Sequence, residues 1–141
     1  MAVKVPQTLA HLHYWSVRLT RSTTRDDLLE VFRTSSRIAL IRGADGLGAV
    51  NTVKELMLDL GRPHGDLYEV ALWEDMLTVE GDEAYLTYQV YNEAIVVPET
   101  IDAIRALAGT VTDGSTSIKM TDEALGMRRE FLPAPVRATT A

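Results

Sequence analysis

The chain has 141 residues, 46% of them hydrophobic and 24% charged, enough to build the core of one globular domain. Its formal net charge of −6 argues against non-specific nucleic-acid binding, which needs a basic face, and no apolar run is long enough to cross a bilayer. It contains no cysteine, so neither disulfides nor thiol chemistry can come from these residues, and residues 1–6 show no apolar signal region, which makes the cytoplasm the expected location.

Residues 8–19 alternate, with Leu9, His11, His13, Trp15, Val17 and Leu19 on one face, and this predicts a long strand. Thr24 has the character of an N-cap, with Asp26 and Asp27 in the first turn of a short helix whose buried stripe is Leu28, Val31 and Phe32. A second strand is expected at 37–41. The glycines at 43, 46 and 48 read as a plain connection, because their spacing matches no nucleotide fingerprint and no strand–helix turn is evident around them. A helix follows to Leu60, with Val50, Val53, Met57 and Leu60 inward, Gly61 beyond its end and Pro63 preventing continuation.

A third strand is expected at 67–73. Residues 76–80 and 83–91 form a hairpin about Gly81-Asp82, glycine first, the preference of a type II′ turn. A helix from Pro98 to Ala108 carries Ile101, Ile104, Leu107 and Ala108 as its apolar stripe, and a short helix is expected around 121–125. From Arg128 onward two prolines and no periodicity predict a disordered tail over 128–141. This order gives an α+β fold, a mostly antiparallel sheet with helices packed on one face.

Few residues offer chemistry. His11 suits a general base, since imidazole changes charge near neutral pH, although a sheet histidine is more often inert and hydrogen-bonded. His11 and His13 alone are too few for a metal, and no metal site is expected. Asn92-Glu93 is a polar pair at a strand end, where ligands are commonly met. Arg62, His64 and Arg105 read as solvated surface groups, and Trp15 and Trp73 as core and interface area.

The run Asn-Glu-Ala-Ile-Val-Val-Pro-Glu-Thr-Ile-Asp-Ala-Ile-Arg at 92–105 resembles the end of the catalytic domain of archaeal-type (type II) glyceraldehyde-3-phosphate dehydrogenase. Collinear blocks agree: Val-Pro-Gln-Thr-Leu-Ala-His at 5–11, Asp-Leu-Gly-Arg-Pro at 59–63 and Asp-Leu-Tyr-Glu-Val-Ala-Leu-Trp-Glu-Asp at 66–75. The resemblance implies that residues 1–127 are a partial catalytic domain with that family's sheet. It implies NAD or NADP as cofactor, glyceraldehyde 3-phosphate as substrate, and a homo-oligomer. His11 aligns with the family's proposed catalytic base. Asn92 stands where the family has a glutamine whose amide contacts the nicotinamide; asparagine keeps the amide and reaches one methylene less far. His11 and Asn92 are therefore expected on one side of the sheet, near the mouth of a pocket.

The departures are as informative. The family's nucleophilic cysteine and its dinucleotide-binding domain match nothing in these residues, so the chain alone is expected to be inactive. Its expected partner is the missing N-terminal half or a full-length homologue, and the alternative reading is a non-catalytic interaction or binding domain derived from that enzyme.

Overall fold

The computed structural model describes residues 10–132 of the chain. The start of the first predicted strand and the block at 5–9 lie outside the described residues, as does the expected tail from 133 on. The sheet is assembled around β5 (Glu83–Tyr91). β1 (Ala10–Arg18) pairs with it antiparallel over the full length, from Ala10 opposite Tyr91 to Arg18 opposite Glu83. β4 (Thr78–Glu80) returns onto β5 across Gly81-Asp82, and β3 (Val70–Trp73) takes the other end of the same edge. β2 (Ile38–Ile41) lies parallel to β3, giving the order β1-β5-β3-β2 with β4 beside β5. In the hairpin Gly81 alone takes a left-handed backbone, φ 65°, as the first position of a type II′ turn requires.

The four helices are α1 (Arg25–Thr34), α2 (Val50–Asp59), α3 (Val97–Ala108) and α4 (Gly114–Leu125). The fold is thus α+β with a mostly antiparallel sheet. Strand alternation sends Ala39, Ile41, Ala71, Trp73 and Tyr91 to one face, where Val53 and Met57 of α2 join them with Leu47 and Leu67 in one cluster. Burying each large member is worth about 1.5–3 kcal/mol. Trp73 closes the cluster and donates its Nε1 hydrogen to the Leu47 carbonyl at 2.8 Å.

Several local expectations are corrected. In α1, Thr24 and Asp27 form the reciprocal capping pair, but Val31 is exposed and Leu29 is the fully buried residue. Arg25 explains the shift: its guanidinium donates to the carbonyls of Glu74 (2.7 Å) and Leu77 (3.1 Å), which rolls the helix toward the Arg25–Leu29–Phe32 side. α4 begins seven residues before 121, capped by Asp113, whose carboxylate accepts from the Thr116 N–H at 2.7 Å.

Arg62 and Arg105 are not solvated. Arg62 is buried and pairs with fully buried Glu69 through two contacts of 2.6 Å, and its guanidinium lies 5.5 Å from the ring centre of Tyr68 and 5.8 Å from that of Phe131. Glu69 also accepts from the Arg128 backbone N–H, and Phe131 is only 5% exposed within the core cluster. Arg128 and Phe131 are held against the body by these contacts.

Arg105 points between α3 and α4. There Asp102 accepts from Ser117 (2.6 Å) and Thr121 (2.7 Å) and pairs with Arg37 of the β2 entry (2.5 Å), while Arg105 donates to Asp102 and Thr121. The inward side of α3 is thus polar apart from Pro98 and half-buried Val97 and Ile101. Of its apolar stripe Ile104, Leu107 and Ala108 lie outward, with Ile104 at 59% and Leu107 at 89% exposure, while Ile101 is half-buried.

Candidate functional site

His11 lies on β1 opposite Val90 of β5, and Asn92 is two residues beyond Val90. Period-two alternation puts Val90 and Asn92 on one face, so His11 and Asn92 meet diagonally across the strand pair. The turn that follows holds the asparagine in place: the N–H groups of Ala94 and Ile95 both donate to the Tyr91 carbonyl, at 3.1 and 2.8 Å, and Ala94 is sunk into the core. Asn92 Nδ2 then stands 2.9 Å from His11 Nε2.

With Nδ2 donating, Nε2 keeps its lone pair, and the ring is neutral with its proton on Nδ1. If Nε2 carries a proton instead, the amide turns over and accepts through Oδ1. Asparagine therefore partners either charge state of the imidazole. A third group that takes a proton to Nε2 has to displace the amide first. Asn92 Oδ1 makes no hydrogen bond within the described residues and stays available as an acceptor.

The same face continues along β1 as a row of rings. His13 stacks on Tyr88, centroids 4.8 Å apart and planes 3° from parallel, and Trp15 meets Tyr88 edge-on at 5.7 Å. His11 and His13 are 6.0 Å apart, centroid to centroid, and tilted. Among the described residues no group of three His, Cys, Asp or Glu is placed to hold a metal.

Two cavities lie elsewhere in the described residues. One cavity of about 370 Å³ is lined by residues such as Arg33, Arg42 and Arg129, and another of about 680 Å³ lies between Leu19 and Thr34. Neither includes His11 or Asn92, which are both exposed among the described residues.

The three-glycine loop also needs correction. It is framed by a strand and a helix, β2 and α2. Yet the Gly43 N–H already donates to the Asp75 carboxylate at 2.9 Å, so an acidic side chain holds the place an anion would take. The sequence reading missed the Arg62–Glu69 pair altogether; the two lie seven residues apart on an irregular segment, where periodicity carries no signal.

No protein-family model matches the chain. Individual proteins do. It is 41% identical over 132 residues to a glyceraldehyde-3-phosphate dehydrogenase of Metallosphaera sedula, 43% over 126 residues to one of Methanopyrus kandleri, and 44% over 130 residues to one of Pyrobaculum calidifontis. These alignments take in 94%, 89% and 92% of the chain, but only 38%, 36% and 38% of the relatives. Similarity at this level, along almost all of a chain that builds one mostly antiparallel α+β unit, reflects common descent. The chain is thus similar to archaeal glyceraldehyde-3-phosphate dehydrogenases along nearly all of its own length, and it spans little more than a third of theirs.

Proposed function

We propose that this chain supplies one portion of the catalytic unit of a phosphorylating, NAD(P)-dependent glyceraldehyde-3-phosphate dehydrogenase, with His11 as general base and Asn92 as a contact to the nicotinamide. The 2.9 Å contact between Asn92 Nδ2 and His11 Nε2 carries this reading. It joins, at one strand end, the two side chains that the sequence singles out for chemistry.

A thiolate is a far better nucleophile than a thiol, so a base beside the reacting thiol is what aldehyde oxidation by covalent capture needs. The thiol comes from another segment, since these residues hold no cysteine. As it approaches, Asn92 yields Nε2, which takes the thiol proton. Freed, the Asn92 amide offers Oδ1 to the carboxamide N–H of a nicotinamide and its own N–H to the carboxamide oxygen. A bound nicotinamide supplies the hydride acceptor. Of the residues present, Asn92 would meet the nicotinamide end of the cofactor; in the glycine loop the Gly43 N–H already donates to Asp75.

Reconstitution tests the proposal. The chain is mixed with the part of the Metallosphaera sedula relative that lies outside the matched stretch, and formation of reduced cofactor is followed with glyceraldehyde 3-phosphate and phosphate. The chain alone is expected to give no turnover. The mixture is expected to turn over, and His11→Ala to lower kcat by about 100-fold or more. Asn92→Ala is expected to raise the KM for the cofactor. Turnover in the mixture that is unchanged by His11→Ala, or a stable complex without turnover, overturns the assignment. In the latter case the absence of cysteine favours the second reading, an interaction domain derived from the enzyme.

A further inference from the structure

We propose that the core between β5 and α2 is a binding site for internal water, held by the Gln89 carboxamide and the Tyr91 hydroxyl. Gln89 is 0% exposed, yet neither its Oε1 nor its Nε2 bonds to another described residue. The buried Tyr91 hydroxyl is likewise without a partner among the described residues. Buried polar groups in folded proteins are nearly always satisfied, by other protein groups or by ordered water. Unpaired donors and acceptors in one enclosed layer call for a ligand that both donates and accepts.

Sheet geometry brings the two side chains together. Gln89 and Tyr91 are two residues apart on β5, so both enter the layer between the sheet and Val53 and Met57 of α2. Their cross-strand neighbours include short ones: Ala10 lies opposite Tyr91, Ala71 opposite Gln89, and Ala39 opposite Ala71. These methyl groups take up little of the layer beside two long side chains.

The charged group beside Tyr91 is committed elsewhere. Lys54 Nζ stands over the face of the Tyr91 ring, 5.4 Å from its centre, and donates to the His64 carbonyl at 3.1 Å. Burial pushes the Tyr91 pKa up from its ordinary value, so the hydroxyl keeps its proton and remains a donor. About two waters satisfy every unpaired atom. One donates to Gln89 Oε1 and accepts the Tyr91 hydroxyl hydrogen. The other accepts from Gln89 Nε2 and donates to the first. Gln89 and Tyr91 are enclosed by the chain's own residues, so the site does not depend on the catalytic reading or on what lies against the surface of the chain.

Oxygen-17 relaxation dispersion of the solvent tests this, because it counts long-lived waters through the water oxygen and is blind to exchanging protein hydrogens. Gln89→Met keeps nearly the same volume and is expected to lower the amplitude by about two waters relative to the parent chain. A water nuclear Overhauser measurement on the parent is expected to give cross-peaks from the Gln89 side-chain amide hydrogens to water. Tyr91→Phe is expected to keep those cross-peaks, which excludes relay through the tyrosine hydroxyl, and it serves alone if Gln89→Met shows a disturbed circular-dichroism spectrum. Equal dispersion amplitudes in the parent and in folded Gln89→Met overturn the proposal. So does a Gln89 amide whose cross-peaks go to protein hydrogens alone, or one that loses its water cross-peaks in Tyr91→Phe.

Discussion

Asp102 sits where α3, α4 and the entry to β2 converge. Burial by itself would raise its pKa. The hydrogen bonds from Ser117 and Thr121 and the Arg37 guanidinium outweigh burial and hold the carboxyl at about 2. A folded-state pKa below the ordinary 3.8 means that Asp102 stabilises the fold above that value, and that this contribution is lost as pH falls from 3.8 through about 2. Asp102→Asn is expected to destabilise the chain by about 2–3 kcal/mol at neutral pH, since charged hydrogen bonds are lost and Arg37 keeps less counter-charge. Urea titrations of parent and variant should converge across that acid window; parallel curves would show that Asp102 does not carry the dependence. His11 and Asn92 depend instead on backbone placement, each set by the β1–β5 register and by the turn on the Tyr91 carbonyl.

At the scale of elements, α3 has its polar side inward. Ile104 and Leu107 lie in water, so replacing both by Glu is expected to change stability by no more than about 0.5 kcal/mol while raising solubility. A loss of several kcal/mol in chemical denaturation would mean that this side of α3 is covered after all. What the sequence displayed of the fold was whatever local pattern controls: the alternation of β1 and β5, the Thr24 cap, the Gly81 turn and the inward stripe of α2. The polar inner side of α3 was hidden, because a three-and-four apolar repeat does not say what packs behind it. α4 was hidden too. Gly114 to Ser117 reads as loop, and becomes helix because Ser117 and Thr121 turn their hydroxyls onto Asp102. Of the site, the pairing of His11 with Asn92 was legible from strand alternation together with family resemblance. Its exposed setting away from either cavity was not, since concavity arises from elements distant in sequence.

For the molecule as a whole, Phe131 and the Arg62–Glu69 pair move the edge of the packed unit past Met127. A chain ending at Met127 loses the Phe131 side chain from the core and the Arg128 N–H from Glu69. It is expected to be less stable by about 3–5 kcal/mol, the usual loss for a buried Phe cut back to Ala, as measured by denaturant midpoint; an unchanged midpoint would place the boundary where composition first put it. The sheet itself is closed by remote partners. Arg18 and Glu83 are 65 residues apart in the chain, His11 and Asn92 81. Synthesis at about 5–20 residues per second leaves β1 waiting roughly 3–16 s for β5, with Tyr14 and Trp15 uncovered throughout. High contact order of this kind slows folding. The contact between His11 and Asn92 also cannot form before the last residues of β5 have arrived, so a nascent chain carries these two side chains unpaired until its sheet is complete.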